Sequence, residues 1–330
     1  MPRIAALLSP LLLALPLAAL SAFTLTHLQS LVGVDMSGRN LVPGLGIGMT
    51  EALTSLILAG TLLAEVATRG WRGSSLERMT TAQQPTHRSD FFFAIAAVTA
   101  LYPMIVLIGT FGVCVALREA VGAWFGWRLA ADWPFWLSVP ATILLADFLQ
   151  YWLHRALHSD MLWPLHAIHH AAADLTPLTA ARNHPIDDFL TSLTSAVAML
   201  TLGAPDAAML WAATLLNVQA VVVHSNMPVP LWLEKTIVAG PRLHRLHHSF
   251  LRDEHDNNFA AFPVWDRLFG TYRLQIEGPA RFGVDDPRFD TGNPLRDIAV
   301  ATLIWFQTIG GRLHGLVRLR RPVRTGADLS

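Results

Sequence analysis

Cysteine and charged residues are both scarce in this 330-residue chain. Cys114 is its only cysteine, which excludes a disulfide framework and a thiolate metal site. Charged residues make up 15% of the chain, against about 25% in soluble domains. The 24 Lys and Arg balance the 24 Asp and Glu, so the basic excess of a nucleic-acid-binding protein is missing. With 52% hydrophobic residues, the composition predicts a membrane protein.

Long uncharged runs predict the membrane segments. Residues 4–26 carry no charge, and about 20 such residues suffice to cross a bilayer as a helix; a cleaved signal peptide is the alternative. Three further candidate spans are residues 45–64, 91–117 and 134–146. Two later apolar runs, 189–205 and 207–223, predict a helical hairpin that enters the membrane and returns. The expected fold is all-α, with four to six membrane-embedded helices.

Arginine placement predicts the orientation in the membrane. Arg69, Arg72, Arg78 and Arg88 lie between the second and third candidate spans, and short cytoplasmic loops carry the excess of Arg and Lys. The histidine-rich segments then fall on the cytoplasmic side, as a helical cap. We expect an N-terminal membrane segment (residues 1–90), a catalytic domain (91–275) and a cytoplasmic or interfacial tail (276–330).

Histidine is abundant where charge is scarce, since ten of the 14 lie between His154 and His248. Eight of them form one HxxxH and two HxxHH patterns: His154 and His158; His166, His169 and His170; His244, His247 and His248. Residues three and four apart share one face of a helix and can reach one metal. Chance gives roughly 0.025 copies of one HxxHH pattern at this histidine content. The patterns therefore predict a metal site.

Two isolated histidines are further candidate ligands. His184 precedes the predicted hairpin and His224 follows it, and an ionisable residue at the end of a span is a candidate functional residue. Ten imidazoles exceed what one metal needs, so we expect two metals, and imidazole suits iron, zinc and copper. Asp147 and Asp187 are expected to accept ring N–H groups of the ligands.

The remaining charged and imidazole side chains have less specific expectations. Arginines among the ligands are expected to contact a lipid head group or to pair with a carboxylate; they are Arg155, Arg182 and Arg245. Histidines outside the patterns are expected to be ordinary surface or interfacial residues; they are His27, His87, His255 and His314.

From about residue 134 to residue 273, the chain resembles the fatty acid hydroxylase/sterol desaturase superfamily of integral membrane oxygenases. The matching features are the HxxxH pattern after Asp147 and Tyr151, both HxxHH patterns, the His184-Pro185 step before Asp187, the lone His224, the Asn257-Asn258 pair, and the Trp265-Asp266 pair that opens a Trp-Asp-Arg-Leu-Phe-Gly-Thr-Tyr signature. The chain has Phe259-Ala260 where many relatives have an aromatic residue followed by glycine.

This resemblance implies two iron ions, with zinc possible on isolation, held by the ten histidines. Five residues are expected around the ligands: Asp147, Tyr151, Asp187, Asn257 and Asp266. It also implies O2 as co-substrate and a lipid from the bilayer, fatty acyl or sterol-like, that is hydroxylated or desaturated. We expect a separate electron-donor protein (a ferredoxin, a cytochrome b5-like protein or a reductase), since no cytochrome b5-like region precedes the core.

Two alternatives from other classes stay open. One is a zinc-binding membrane hydrolase, although the chain has no HExxH pattern to supply a metal-bound water and a general base. The other is a membrane metal-binding protein without redox activity, although a carrier would line several spans with polar ligands.

Overall fold

A computed structural model of the chain describes residues 47–82, 84–99, 129–130, 132–279 and 281–319. Within these ranges the regular structure is helical, and the only β pairing is an isolated bridge between Ser249 and Phe282. The predicted all-α class is confirmed for this part of the chain. The helices are α1 (Ile47–Arg69), α2 (Ser75–Thr81), α3 (Pro85–Val98), α4 (Phe135–Leu157), α5 (Trp163–His170), α6 (Pro185–Leu202), α7 (Asp206–His224), α8 (Leu231–Thr236), α9 (Pro241–His247), α10 (Arg252–His255), α11 (Pro263–Leu268) and α12 (Pro294–Leu319), with 3-10 helices at Pro177–Ala181 and Pro287–Phe289.

Proline and glycine set several helix ends. Pro85, Pro185 and Pro241 are the first residues of α3, α6 and α9, where the fixed φ suits a helix and the missing N–H has no intrahelical partner to lose. Gly203 ends α6 in the left-handed conformation, with φ 59°, which glycine adopts without a Cβ penalty. The turn after it leads directly into α7, so two consecutive helices replace the predicted hairpin, with α4 packed against both. Their entry into the membrane stays a prediction.

The structure supports some of the predicted membrane spans and does not describe others. Of the described helices, one stretch, Ala207–His224 in α7, is long and apolar enough to cross a membrane. The candidate at 4–26 lies outside the described residues, and so does most of the candidate at 91–117, of which α3 (Pro85–Val98) includes only the first residues. The candidate at 134–146 is the first part of α4, which continues through the HxxxH pattern to Leu157. The number of spans stays a prediction.

Helix α4 packs between α6 and α7. Their shared core includes Val139 and Ile143 of α4, Met199 of α6 and Met209 of α7. Helix α7 also contacts α1, the first 3-10 helix and α9. This arrangement brings the C-terminal ends of α4 and α7 together with α5 and α9, the four helices that carry the histidines.

Helix α12 is a finding that the sequence did not predict. Residues 276–330 were expected to be a tail, whereas Pro294–Leu319 forms a 26-residue helix that packs against α5. Buried Ala301 of α12 shares a core with Phe93 of α3 and Ile168 of α5. The C-terminal region therefore supports the helix that carries the first HxxHH pattern.

Candidate metal centre

Nine of the ten predicted ligands meet in two adjacent groups. In group one, five ring nitrogens lie within 4.8 Å of one another; they belong to His154, His158, His166, His170 and His247. In group two, four ring nitrogens meet the same limit; they belong to His169, His224, His244 and His248. The two groups touch where the rings of His170 and His248 stack, with centroids 4.3 Å apart.

Each HxxHH pattern contributes to both groups, because of helical geometry. Positions i and i+4 differ by about 40° around a helix, whereas position i+3 lies about 100° from i+4. In α5 the outer pair, His166 and His170, belongs to group one and His169 to group two. In α9 the assignment is reversed, with His247 in group one. The adjacent pair in each pattern is therefore divided between two sites.

The Nδ1 atoms of group one fix which nitrogen faces inward. His154 Nδ1 lies 2.8 Å from the Phe259 carbonyl oxygen, and His247 Nδ1 lies 2.7 Å from that of Asn257. A carbonyl oxygen only accepts, so each Nδ1 carries the proton and donates it, which leaves a lone pair on Nε2. These Nε2 atoms are buried and have no hydrogen-bond partner in the described part of the chain.

Two other ligands of group one are oriented by carboxylates, which accept their Nδ1 protons. His166 Nδ1 lies 2.8 Å from Asp187 Oδ2, as the sequence predicted for this carboxylate. His158 Nδ1 lies 3.2 Å from Oδ1 of Asp256, a residue that the sequence did not single out. The Nε2 atoms of both histidines are likewise buried without a hydrogen-bond partner among the described residues. Group one thus presents four oriented lone pairs, together with His170.

In group two, pairs of Nε2 atoms lie so close together that their lone pairs repel unless a cation or a proton is bound between them. His169 donates its Nδ1 proton to the Arg182 carbonyl at 3.2 Å, and His224 donates its own to the Ala220 carbonyl at 2.7 Å. Their Nε2 atoms then face each other at 3.2 Å as two lone pairs. His244 Nε2 lies 3.0 Å from His224 Nε2 and 3.1 Å from His248 Nε2. A bound metal cation would turn this repulsion into coordination, so the residues fit a metal.

The electrostatics keep the rings neutral, which is the form that binds metal. Burial, and then the neighbouring imidazoles, hold the pKa of His158, His170 and His247 well below the ordinary value of 6.5. The same causes lower the pKa of His154 to about 3. The imidazoles are therefore neutral at pH 7, and a metal can bind their free nitrogen without displacing a proton.

Known proteins resemble part of this chain. The profile of the family described as fatty acid hydroxylase matches residues 139–271. Ornithine lipid hydroxylase OlsE of Rhizobium tropici is 31% identical over 143 residues, 43% of each chain. Very-long-chain aldehyde decarbonylase GL1-8 of Oryza sativa subsp. indica is 30% identical over 181 residues, which are 51% of this chain and 67% of the rice protein. The chain belongs to the fatty acid hydroxylase superfamily.

The third relative of this superfamily is lathosterol oxidase of Mus musculus, 30% identical over 140 residues, which are 42% of this chain and 45% of the mouse protein. The chain thus spans less than half the length of the Rhizobium and mouse relatives it matches. No solved structure matches the chain. The predicted resemblance is confirmed, and all nine grouped histidines lie inside the matched region, whereas α1, α3 and α12 lie outside it.

His184 is the one predicted ligand that belongs to neither group. It is the residue before α6, and its Nδ1 accepts the Ile186 backbone N–H at 3.1 Å. Its Nε2 lies 2.9 Å from the Thr302 hydroxyl of α12. Both ring nitrogens are therefore used: His184 caps the N-terminus of α6 and ties it to α12.

Asp147 and Asp266 both hold the backbone of residues 259–262. Their carboxylates accept the four successive N–H groups of this segment at 2.7 to 3.1 Å. The segment begins with the Phe259 carbonyl that orients His154. Asp147 lies seven residues before His154, which is about 10 Å along a helix. That distance explains why Asp147 accepts backbone amides rather than the ring N–H that the sequence predicted.

Tyr151 and Asn257 also act at one remove from the ligands. The Tyr151 ring stacks on Phe269, with centroids 5.3 Å apart, and its hydroxyl lies 3.1 Å from Thr271 Oγ1. The Asn257 side chain donates to the Glu254 carbonyl, while its own backbone carbonyl accepts His247 Nδ1. Both residues shape the loop whose carbonyls orient group one.

Arg182 is buried, where the sequence allowed a head-group contact or an ion pair. Its guanidinium is fully enclosed and lies 3.2 Å from Asp90 Oδ1 and 3.1 Å from Asp290 Oδ1. It also donates to the Ile168 carbonyl at 2.7 Å. Because the Arg182 carbonyl accepts His169 Nδ1, the residue links the outer helices to group two.

Two histidines expected at the surface or an interface are buried instead. His255 is 5% exposed, and its ring lies 5.6 Å from those of His170 and Trp163. His87 is 6% exposed, with Nε2 3.1 Å from Asp174 Oδ2. Neither belongs to a spacing pattern, so pattern matching had no means to find them; the adjacent Asn257-Asn258 pair was the nearest signal for His255.

Proposed function

We propose that the chain is a membrane-bound non-haem di-iron oxygenase that hydroxylates or desaturates a C–H bond of a lipid. The observation that carries the proposal is that the ring nitrogens of five histidines converge in one group and those of four histidines in a second, adjacent group. An all-nitrogen set without thiolates suits iron, among other metals. The names of the relatives add support, since they describe an ornithine lipid hydroxylase, an aldehyde decarbonylase and a lathosterol oxidase.

In this proposal the two irons would supply activation of O2 with two external electrons. The chain's own part is to hold nine ligands in position before metal binds, through carbonyls and carboxylates that take the Nδ1 protons. Burial of the rings keeps water from the site, which protects a reactive centre from quenching. The protein thus sets orientation and access, while the metals carry the chemistry.

The lipid would reach the centre along α7. Helix α7 contains the apolar stretch Ala207–His224, and His224 is a member of group two. A lipid that lies beside α7 in the bilayer, parallel to the helix, would therefore have one end close to the ligands. This path accounts for a metal site at the end of an apolar helix.

Contacts of the basic loop support a cytoplasmic centre. Arg69 donates to the Asn226 carbonyl at 2.7 Å, two residues after His224. Arg78 pairs with Asp174 at 2.8 Å, four residues after His170. The arginine-rich loop between α1 and α3 therefore lies at the same end as the ligands, and such loops favour the cytoplasm. We propose a multi-pass protein with its centre on that side.

An electron donor would approach group one from the surface. A cavity of about 210 Å³ is bordered by His158, Trp163 and His255, together with Asp160 and Asp256. The two carboxylates are 86% and 73% exposed, and Arg312 lies 3.5 Å from Asp160. Two carboxylates beside one guanidinium leave the rim acidic. We propose that a separate redox protein with a basic contact surface docks here, because opposite charge steers such encounters.

The test is the metal content and Mössbauer spectrum of purified protein grown on iron-57, beside a His169→Ala/His247→Ala variant that removes one ligand from each group. We expect about two irons per chain with a coupled di-ferric signal, which the variant loses. One zinc per chain, or iron retained by the variant, would reject the oxygenase and favour a zinc hydrolase or a redox-inactive metal-binding protein.

A further inference from the structure

A second cavity lies between the histidine-bearing helices and the N-terminal helices. Its volume is about 250 Å³. Helix α1 contributes Thr54 and Leu58 to its wall, α3 contributes Ala97, α6 contributes Asp188 and α7 contributes Asn217. The first three lie outside the region that the family profile matches. Part of this wall is therefore built by segments that the family match does not cover.

The cavity adjoins the backbone that orients group two. Ala220 lines it, and the Ala220 carbonyl accepts His224 Nδ1. Ala181 and Asn183 also line it; they flank Arg182, whose carbonyl accepts His169 Nδ1. A molecule in the cavity would thus lie against the same two stretches of chain that hold two ligands of group two.

The wall is apolar except for a few hydrogen-bonding groups, of which Asp188 is the only acid. Asp188 is half-buried, and none of the described residues hydrogen-bonds its carboxyl group, although a polar group that loses much of its contact with water normally has a partner. Asn217 lies opposite on α7 and donates from Nδ2 to Thr54 Oγ1 at 3.4 Å, which leaves its Oδ1 as a second acceptor. The cavity therefore presents hydrogen-bond acceptors to which a ligand with an O–H or N–H group could donate.

We propose that this cavity binds the polar group of the lipid and selects lipids that carry a hydroxyl or N–H donor close to the reacting carbon. The statement about the reacting carbon rests on the proposed oxygenase function. Pockets that enclose a drug-sized molecule have about 300–1,000 Å³, so this smaller cavity fits the polar end and a few carbons of a lipid. The rest of the alkyl chain would extend toward the bilayer. Asp188 and Asn217 are then residues that determine specificity.

The test measures binding, so that it does not depend on turnover. The full-length, iron-loaded protein in nanodiscs is equilibrated with radiolabelled 1-hexadecanol, hexadecylamine or 1-methoxyhexadecane, and binding is corrected with empty nanodiscs. The methyl ether keeps the chain and the oxygen but has no donor. We expect at least one donor probe to bind about tenfold more tightly than the ether, as one hydrogen bond to the carboxyl group provides.

The variant Asp188→Leu removes the acceptor. We expect it to bind the preferred donor probe about ten- to a hundredfold more weakly, with ether binding and iron content unchanged. A donor preference that survives this change, or its absence from the unaltered protein, would overturn the proposal. The variant Asp188→Asn separates the two donors, since an amide still accepts from a hydroxyl but no longer attracts an ammonium charge.

A second pair of variants covers the case in which Asp188→Leu fails to fold. Leu58→Phe places a larger side chain at the cavity wall, and Leu56→Phe places the same side chain on the exposed face of the same helix, where Leu56 is 49% exposed. We expect only Leu58→Phe to weaken all three probes; equal behaviour of the pair would reject the site. Iron content on the same samples distinguishes the two proposals: donor preference without two irons refutes the oxygenase alone, and two irons without donor preference refutes the pocket alone.

Discussion

Replacing Arg182 by methionine tests whether the buried ion pairs stabilise the frame around group two. Methionine keeps much of the side-chain length and volume but removes the charge. Asp90 is then left fully buried beside no cation, since both side chains of that pair have no exposure. Removing one partner of a buried pair costs roughly 3–5 kcal/mol, so we expect a loss of that size in the free energy of unfolding.

The assay is unfolding of the purified protein by SDS titration in detergent, followed by tryptophan fluorescence. The matched control is Arg288→Met, because Arg288 pairs with Asp286 at 2.7 Å on the surface, where ion pairs contribute little. Arg182→Met leaves two carboxylates without their partner, and the double variant Arg182→Met/Asp90→Asn removes the more deeply buried of them. Its loss should therefore be smaller than the sum of the two single losses. A loss below about 1 kcal/mol for Arg182→Met, or strict additivity, would refute the reasoning, since breaking a buried pair should cost more.

Four further predictions concern the ligands and their partners. His247→Ala and His244→Ala should each lower metal content from two ions to one, measured by mass spectrometry; loss of both ions from either variant would argue against separate sites. His184→Ala should retain both metals and lose about 1 kcal/mol of stability, the usual contribution of an N-cap; loss of a metal would make it a ligand. Asp256→Asn should weaken metal binding about tenfold in a chelator competition, because an orienting acceptor of His158 is impaired. In metal-free protein the pKa of His154 is about 3, against 6.5 when unfolded, so the unfolded chain takes up its proton first. Stability should therefore be full above about pH 6.5 and lower by about 2 kcal/mol at about pH 5 through His154 alone; equal unfolding curves at the two pH values would contradict this.

The histidine spacing predicted most of the site because the face shared by i, i+3 and i+4 is a local property of a helix. Long-range partners decided the rest. His184 has the same imidazole as the ligands, but its second nitrogen meets Thr302, 118 residues later. Arg182 pairs with Asp90 and Asp290 from two distant segments. Nothing in the spacing around these residues distinguishes a ligand from a cap or a head-group contact from a buried pair.

The acceptors of the Nδ1 protons include four backbone carbonyls, those of Arg182, Ala220, Asn257 and Phe259. A carbonyl belongs to the chain whatever side chain is attached to it. An alanine scan would therefore report these positions as tolerant wherever the side chain itself is dispensable, while the group that orients the imidazole goes untouched. Two homologues could differ at all four positions and still hold their metals in the same way. Only a change of the backbone itself, such as an amide-to-ester replacement one residue later, would reveal how much the centre depends on them.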